Sequence, residues 1–311
     1  MRIVIAGGTG FLGGPLAEVY AEEGHDVRVL TRSLNDGEAR HDPGTGKPGI
    51  TRVGWKPTGE TGRWMEALDG ADAVVNLAGE PIGDARWTPL RKAKLRDSRL
   101  LATRSLAASI NAVAQPPQVM VSASGVGYYG AAGDEPKTED APAGTDFMAH
   151  LAEDWEGEAR KAERAGTRVV LMRTGVVLEK VGGALPRMLT PFRFFVGGPL
   201  GSGRQYISWI HRLDVLEMIR WIIETPGVTG PINATAPHPV TSRDFAKAIG
   251  RALRRPSMVP APAFALRLLV GEMADPLLLT GQRVIPAVAQ AHGYHFRYPE
   301  IDIAMRGIFG D

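Results

Sequence analysis

A glycine-rich turn directly after the first apolar segment limits the folds that are open to this chain. Residues Arg2 to Ala6 form a short run rich in β-branched side chains, and Gly7-Gly8-Thr9-Gly10 ends it abruptly. Such a run is typical of a strand that is buried on both faces of a parallel sheet. Apolar residues then recur at helical spacing from Phe11 as far as Gly24, before a second strand-like run at 26–30. This order predicts a βαβ unit with the glycines between strand and helix.

The same turn is a candidate phosphate site. It fits two overlapping patterns, Gly7-x-x-Gly10-x-x-Gly13 and Gly8-x-Gly10-x-x-Gly13. Glycine permits positive φ at a tight turn, and its missing side chain lets a diphosphate approach the backbone. The start of the following helix presents unpaired N–H groups to the phosphates. A tight turn that binds nothing is the alternative. We predict that a dinucleotide contacts Gly7, Thr9, Gly10, Phe11, Leu12 and Gly13.

The end of the second predicted strand bears on which dinucleotide binds. A protein that binds NAD usually places Asp or Glu there to bond the ribose hydroxyls. This chain has Thr31, Arg32 and Ser33 instead, and a guanidinium flanked by hydroxyls can hold a 2′-phosphate that a carboxylate would repel. We predict NADP(H) as the cofactor, held there by these three residues. The alternative is an exposed Arg32 on a loop, with Asp36 reaching the ribose.

The remaining pattern of the first half alternates strands with helices and predicts a parallel sheet with right-handed crossovers. The predicted fold class is therefore α/β, a Rossmann-type doubly wound sheet. A polar stretch over 36–62 is expected to be loop around one strand near 50–55. Further strands are expected at 72–77 and 118–122, and the last of the parallel set at 168–172. Helices are expected at 64–68, 89–111 and 147–164.

The second half of the chain loses this rhythm and predicts a smaller, mostly helical lobe. Helices are expected at 213–224 and at 241–253, where Thr241 is a suitable N-cap. We expect an NADP(H)-binding domain over residues 1–175, to which segments at about 205–235 could return, and a substrate-side lobe over residues 176–311 with a separate tail from about 255.

Composition and charge narrow the range of partners. The 36 Lys and Arg against 34 Asp and Glu leave a net charge of +2, which gives no broad electrostatic reason to expect nucleic acid or an anionic membrane. The absence of cysteine excludes disulfides and thiolate chemistry. No residue spacing indicates a metal site, and no apolar run approaches the roughly 18–20 residues of a membrane span. Since the start of the chain also lacks a signal-peptide pattern, we expect a cytoplasmic protein with a small-molecule substrate and no indicated oligomer.

Small and polar residues follow two of the predicted strands. Asn76-Leu77-Ala78-Gly79 ends the strand at 72–77, and Ser122 ends the strand at 118–122. Doubly wound folds bind ligands at the carboxyl edge of the sheet, so we expect these residues to contact the ribose and nicotinamide. Close packing alone would also explain the small residues.

A set of short motifs is spread along nearly the whole chain. Besides the glycine turn, they are Asn76-Leu77-Ala78-Gly79-Glu80-Pro81-Ile82, Ser98-Arg99, Ser122 to Gly130, Asp154-Trp155-Glu156, Arg173 to Leu178, Trp209-Ile210-His211, Gln282 to Pro286 and Phe296 to Pro299. With these motifs the chain resembles an extended short-chain dehydrogenase/reductase, and more closely the atypical branch of NAD(P)-dependent, cell-division-inhibitor-like epimerase family proteins. The resemblance implies a Rossmann domain, a nicotinamide cofactor and a small C-terminal domain, and it leaves the substrate open.

The resemblance also implies a Tyr-x-x-x-Lys pair that this chain lacks. In the wider superfamily the Tyr exchanges a proton while hydride moves to or from nicotinamide. The Lys holds the ribose and lowers the pKa of the Tyr from about 10 toward neutrality. None of the six tyrosines is followed by Lys at the fourth position. Depending on the register, the expected places hold Met148 and Ala152, or His150 and Asp154.

Other side chains remain as catalytic candidates. In one interpretation Ser124 polarises a carbonyl or hydroxyl, and Tyr128 or Tyr129 takes the proton role with Glu80 nearby. In a second the cleft survives with weak or altered chemistry, and in a third the protein binds NADP(H) and turns nothing over. Each residue also has a structural explanation: the serine bonds a loop N–H, the tyrosines pack over the nicotinamide, and the glutamate caps a helix.

Two arginines complete the candidate site. Arg99 and Arg173 are expected to hold cofactor or substrate phosphates, unless they pair with carboxylates. His211 lies among apolar residues, as core histidines do, and Asp214 is favoured near a helix start by capping and by the helix dipole. The function predicted from the sequence is an NADP(H)-dependent oxidoreductase or epimerase-like enzyme acting on a small hydroxyl- or carbonyl-bearing substrate. The alternative is a non-catalytic NADP(H)-binding regulator.

Overall fold

The structure, a computed structural model, describes residues 1–41 and 49–310. Residues 42–48 of the predicted polar stretch and residue 311 lie outside the described part. The strands are β1 (Arg2–Ala6), β2 (Asp26–Thr31), β3 (Ala39–His41), β4 (Ile50–Gly54), β5 (Ala73–Asn76), β6 (Val119–Gly125), β7 (Gly133–Lys137), β8 (Arg168–Thr174), β9 (Val176–Leu178), β10 (Tyr206–Ile207), β11 (Trp209–His211), β12 (Gly230–Ala234), β13 (Val240–Thr241) and β14 (Gln282–Val284).

Helices connect most of these strands. The α-helices are α1 (Gly13–Glu22), α2 (Pro89–Ile110), α3 (Phe147–Arg160), α4 (Leu185–Arg193), α5 (Arg212–Glu224), α6 (Ser242–Leu253), α7 (Ala263–Val270), α8 (Ala287–Ala291) and α9 (Ile301–Phe309). Short 3₁₀ or π-helical turns cover Arg63–Ala67, Val126–Tyr129, Lys161–Ala165, Gly271–Met273 and Asp275–Leu279.

Eight strands form the main sheet, in the order β12-β8-β6-β5-β1-β2-β4-β3. Neighbours pair in parallel except β3 and β4, which are antiparallel. The strand order runs in opposite directions on the two sides of β1. The carboxyl ends of β1 and β5 therefore form the switch point at which doubly wound sheets bind ligands, and the glycine turn follows β1 there. The predicted Rossmann-type fold is confirmed.

Alternation along β1 shows why the sheet is covered on both faces. Ile3 and Ile5 face the core that α1 and α5 complete, whereas Val4 and Ala6 face the core beneath α2. All four side chains are fully buried. Burial of apolar surface on both sides explains the uninterrupted apolar run that marks this strand in the sequence.

The expectation that residues 168–172 form the last parallel strand is wrong. β12 returns from the second half of the chain and pairs in parallel with β8, Gly230 opposite Val170 and Ala234 opposite Thr174. β6 and β8 also extend beyond their predicted ends because they pair with each other over seven residues. The polar side chains in that extension are bonded inside the protein, as described below.

The smaller lobe has its own core. Trp209 and Phe245 are buried there among side chains of α4, α6 and α9. The two-stranded pairs β9–β11 and β10–β13 complete this lobe, and β14 pairs with β7. The predicted N-cap is confirmed, since Thr241 Oγ1 accepts a hydrogen bond from Asp244 N at 3.2 Å.

The C-terminal tail is bonded to the start of α5 by a buried acid. Asp214 is buried, and its carboxylate accepts hydrogen bonds from Arg297 N at 2.8 Å and Tyr298 N at 3.0 Å. Capping of α5 therefore does not explain Asp214. His211 caps that helix instead, because its Nδ1 accepts from Leu213 N at 3.1 Å. The His211 ring stacks on Tyr298 with centroids 3.8 Å apart.

His211 makes the stability of the fold depend on pH. Burial lowers the pKa of His211 to about 4, from an ordinary value of 6.5. Between these values the unfolded chain binds a proton that the folded protein does not, so stability falls as pH drops from about 6.5 toward 4. The expected slope from this group is about 1.4 kcal/mol per pH unit.

Urea unfolding between pH 7 and pH 5 measures this slope. His211→Asn retains a capping acceptor without a titrating ring, so its stability is expected to fall less steeply than that of the wild type. Equal slopes in the two proteins would rule out His211 as the titrating group.

Candidate functional site

The turn between β1 and α1 is packed so tightly that side chains are excluded from it. Gly10 N donates to Gly7 O at 2.9 Å. A Cβ on Gly13 would lie 2.3 Å from Gly7 O. Gly7 has φ +81°, and a Cβ there would lie 2.7 Å from the carbonyl of Leu77 after β5. The glycines therefore bring the turn against the end of β5 and leave its backbone bare.

The start of α1 fits an anionic group. Within the described residues no side chain caps this helix, whose N-cap position is Leu12. Gly14 N donates to Gly10 O at 3.0 Å and Pro15 has no N–H, so the N–H groups of Leu12 and Gly13 are the ones available to a ligand. Thr9 and Gly10 are exposed beside it. The Phe11 ring packs under Gly182 of the loop after β9, whose Cβ position lies 2.6 Å from Phe11 Cδ2. That loop therefore borders the turn.

The end of β2 presents a cation and two hydroxyls. Thr31 Oγ1 lies 2.9 Å from Ser33 Oγ and accepts from Ser33 N at 3.3 Å. Arg32 is exposed and makes no ion pair within the described part of the chain. The alternative role for Asp36 is not supported, because its carboxylate accepts from Arg63 N at 3.1 Å at the start of a 3₁₀ turn. This arrangement fits a 2′-phosphate better than free ribose hydroxyls.

Asn76 and Ser122 join strands rather than face the groove. Both are fully buried. Asn76 Nδ2 donates to Thr103 Oγ1 at 2.8 Å and to Ser122 Oγ at 3.2 Å, and Asn76 Oδ1 accepts from Ala78 N at 3.3 Å. These two side chains connect β5, β6 and α2, which corrects their expected contact with the cofactor. Leu77 and Ala78 are half-buried, Gly79 is exposed, and this segment lies against Gly7 of the glycine turn.

Arg99 supports the segment after β5 from below. Its guanidinium donates to Leu95 O and Glu80 O, both at 2.9 Å. Its Cζ lies 3.2 Å from the Cβ position of Gly79 and 5.2 Å from the Trp155 ring. Burial lowers the pKa of Arg99 to about 10. The expected phosphate contact of Arg99 is therefore corrected to a backbone-holding role.

A buried network of hydrogen bonds occupies the ends of β6, β8 and β12. Arg173 and Glu156 form a two-point ion pair at 2.8 and 2.9 Å, and both side chains are almost fully buried. Ser124 Oγ donates to the same carboxylate at 2.7 Å. Arg173 Nη1 donates to the Tyr129 hydroxyl at 3.0 Å, and that hydroxyl donates to Asn233 Oδ1 at 2.6 Å.

This network corrects three of the expected roles. Arg173 directs its donors to Glu156, Tyr129 and a backbone carbonyl rather than to a phosphate. Ser124 donates its hydrogen to a carboxylate, so it does not polarise a substrate carbonyl in this arrangement. Burial raises the pKa of Tyr129 to about 12, despite the lowering effect of Arg173, so Tyr129 is a poor acid–base group at neutral pH.

Tyr128 and Glu80 differ in whether their polar groups are bonded to other residues. The Arg173 guanidinium lies 3.4 Å from the centroid of the half-buried Tyr128 ring, and the Tyr128 hydroxyl has no hydrogen bond within the described residues. Glu80 pairs with Arg91 at 3.3 Å and Lys94 at 3.5 Å. Burial raises the pKa of Glu80, but these two cations outweigh it and the net shift is downward. Glu80 is thus an ionised partner of α2, and Tyr128 has the free hydroxyl.

The structure also decides the register of the missing Tyr-x-x-x-Lys pair. Met148 contacts the Gly127 position beside the end of β6, and Ala152 is buried. His150 and Asp154 are exposed on the opposite side of α3, where Asp154 pairs with Arg96. Met148 and Ala152 therefore stand in the places of the acid–base pair.

Three network residues, Glu156, Glu139 and Asn233, were not singled out from the sequence. Glu156 lies within one of the quoted motifs, but its partner lies 17 residues away on another element. Glu139 is buried and its Oε1 accepts from Asn233 N and Val288 N. Burial raises the pKa of Glu139. Its position after β7 bears no periodic signal that could have revealed it.

Comparison with known proteins gives matches over nearly the whole chain. The profile described as NAD dependent epimerase/dehydratase family matches residues 3–234, and a domain of unknown function (DUF1731) matches residues 261–308. The chain is 41% identical to the chloroplastic epimerase family protein SDR39U1 homolog of Arabidopsis thaliana, over 99% of this chain and 86% of the relative. It is 38% identical to the epimerase family protein YfhF of Bacillus subtilis, over 100% of this chain and 99% of that relative.

A solved structure matches equally well. The crystal structure of the human epimerase family protein SDR39U1 (isoform 2) with NADPH has a TM-score of 0.88 to this chain. The two are 36% identical, and the match covers 100% of both chains.

The buried Arg173–Glu156 pair is expected to be costly to break. Arg173→Met leaves an uncompensated buried carboxylate and should lower the free energy of unfolding by about 3–5 kcal/mol. Adding Glu156→Leu removes that charge and should restore part of the loss. The control Arg96→Met breaks the exposed pair with Asp154 and should change stability by under about 1 kcal/mol.

Urea unfolding of the four proteins gives the comparison. A single Arg173→Met variant as stable as the Arg96→Met control would show that the pair does not hold the strand ends together.

Proposed function

We propose, because the chain belongs to the NAD dependent epimerase/dehydratase family, that it is an NADP(H)-dependent oxidoreductase or epimerase-like enzyme. Hydride would move between C4 of the nicotinamide and a small hydroxyl- or carbonyl-bearing substrate. One observation carries the proposal: the bare, uncapped glycine turn lies at the switch point of the sheet, one strand away from the unpaired Arg32. The NADPH in the human relative's crystal structure supports the choice of cofactor.

Different residues of the chain would bind different parts of the dinucleotide. The turn from Gly7 to Gly13 and the start of α1 receive the diphosphate. Arg32, with Thr31 and Ser33 beside it, receives the 2′-phosphate. Leu77-Ala78-Gly79 and the end of β6 border the nicotinamide end, where the substrate would bind between the lobes.

A second function is favoured by the state of the catalytic candidates. Met148 and Ala152 replace the acid–base pair, Ser124 bonds Glu156, and Tyr129 is buried. A non-catalytic NADP(H)-binding regulator would need none of these groups. Oxidation of protein-bound NADPH by a carbonyl compound would decide for the enzyme. Tight NADPH binding without turnover across a broad panel would decide for the regulator.

The remaining expectations about location and partners stay predictions. No helix among residues 1–41 and 49–310 is long and apolar enough to cross a membrane. A cytoplasmic location and a small-molecule substrate are proposed on the sequence alone, whereas the plant relative is a protein described as chloroplastic.

Arg32 gives the most direct test of cofactor choice. Arg32→Asp replaces a charge-assisted hydrogen bond to the 2′-phosphate with repulsion, so the Kd for NADPH should rise by about tenfold to a hundredfold. The Kd for NADH should change by less than about threefold, because NADH lacks that phosphate. Nicotinamide fluorescence measures both constants.

Arg164→Asp is the matched control for this charge reversal. Arg164 is also exposed, in the 3₁₀ turn before β8 at the opposite edge of the sheet, so both Kd values should stay unchanged. Equal weakening of NADPH and NADH by Arg32→Asp would refute NADP(H) specificity through this residue.

A further inference from the structure

A group of apolar side chains lies where the N-terminal half meets the C-terminal tail. This apolar cluster consists of buried Trp87, Leu95 and Met273, with half-buried Ile82, Phe147, Met148 and Val270 packed around them. The rings of Trp87 and Phe147 meet edge to face, with centroids 5.2 Å apart. Its members come from the loop after β5, from α2, from the start of α3, and from the end of α7 and the turn that follows it.

The apolar cluster reaches the position of the missing catalytic tyrosine. Cβ and Cε of Met148 lie 3.1 and 3.2 Å from the Cβ position of Gly127. Gly127 lies in the turn after β6, between Ser124 and Tyr128. A substrate that meets the nicotinamide at this strand end would therefore contact Met148 and the side chains packed on it.

The surface of the apolar cluster offers few hydrogen-bond donors. The Trp87 indole N–H donates to Ile82 O at 3.1 Å, and the other six side chains have no polar hydrogen. Lys92 Nζ lies 5.3 Å from the centroid of the Phe147 ring, but it is paired with Glu272 at 2.6 Å.

The hydroxyl hydrogens of Ser124 and Tyr129 are donated within the buried network, which leaves the Tyr128 hydroxyl as a free donor nearby in the described part of the chain. A sugar nucleotide brings several hydroxyls and phosphates, and burying them without partners is unfavourable. An apolar ring fits this surface better.

The missing acid–base pair restricts the reaction as well. Hydride transfer to an ordinary ketone forms an alkoxide, whose conjugate acid is as weak as water, with a pKa of about 16, so a positioned acid is needed. Among residues 1–41 and 49–310 no lysine bonds to Tyr128, and Arg173 beside its ring is already paired with Glu156. Hydride transfer to a quinone forms a phenolate-type anion instead. Its conjugate acid has a pKa of about 10, like tyrosine, so water can supply the proton.

We infer that the substrate of this site is an apolar quinone, which NADPH reduces to the hydroquinone. This inference rests on the proposed function and specifies its substrate class. The C4–H bond of the nicotinamide breaks with both electrons, the quinone gains the hydride, and NADP⁺ forms. A proton from water then completes the hydroquinone, so that one quinone, one NADPH and one proton give one hydroquinone and one NADP⁺.

The test compares acceptors on the NADPH-loaded protein. The probes are 2-methyl-1,4-naphthoquinone, cyclohexanone and a 4-keto-sugar nucleotide, with loss of nicotinamide absorbance as the readout and protein-free NADPH as the blank. The expected kcat/KM for the quinone is at least about tenfold higher than for either other acceptor. Turnover of the keto-sugar nucleotide at an equal or higher rate, or binding of NADPH without quinone turnover, would overturn the quinone assignment alone. Failure to bind NADPH would overturn the proposed function with it.

Variants of the apolar cluster locate the reaction. Met148→Glu places a charge against the quinone and should lower kcat/KM for it at least about tenfold, with the Kd for NADPH unchanged. Met148→Leu keeps the surface apolar and should retain activity. If Met148→Glu does not fold, Ile82→Gln at the half-buried edge serves the same purpose. The control Leu90→Glu changes a leucine that is 81% exposed on α2 and should have no effect. Full quinone activity in the folded Met148→Glu or Ile82→Gln variant would place the reaction elsewhere.

Discussion

Contact between the glycine turn and the end of β5 positions everything else at the candidate site. Gly13 lies against the Gly7 carbonyl and Gly7 against the Leu77 carbonyl, at distances that any Cβ would violate. This packing sets where α1 starts, at the switch point of the sheet, with no side-chain cap in the described residues. The site that we propose for the diphosphate is therefore formed by backbone packing, and it requires no charged side chain in the turn itself.

The ends of β6, β8 and β12 are held together by side chains as well as by backbone pairing. Where a hydride-transfer enzyme of this superfamily would keep a mobile proton, this chain has a closed network in which Ser124 and Tyr129 donate to fixed partners. The Arg173–Glu156 pair at its centre is buried, and such pairs are weak sources of net stability but strong constraints on geometry. The network joins β6, β8 and β12, and the apolar cluster lies beside the strand ends where we propose that the nicotinamide binds. Rigid strand ends and an apolar wall together favour a substrate that needs little acid–base assistance.

Sequence reasoning succeeded where the signal is local. The bounds of β1 are as expected, Thr241 caps α6, and α2 starts at Pro89. It failed where the determining contact is distant. A return of segments at about 205–235 was left open, but Gly230–Ala234 contains Gly and Pro and has no strand pattern that would show its pairing with β8. Asp214 has the sequence of a helix-start residue, yet its partners lie 83 and 84 residues further on.

The candidate site shows the same division. The glycines and Arg32 can be identified as candidates from the sequence, because their chemistry depends only on the turn and the strand end in which they lie. The roles of four other side chains depend on which groups the fold places beside them, and their spacing along the sequence does not show this. They are Ser124, Tyr129, Arg99 and Arg173. Only the packing of α3 on β6 shows that Met148, and not His150, faces the strand end.

Amide hydrogen exchange with and without NADPH measures most directly whether the glycine turn receives the cofactor. If the diphosphate binds there, saturating NADPH should slow exchange of the amides in residues 7–14 by about tenfold or more, and α9 on the far lobe should exchange as before. Tight binding of NADPH with unchanged exchange in residues 7–14 would contradict the central claim.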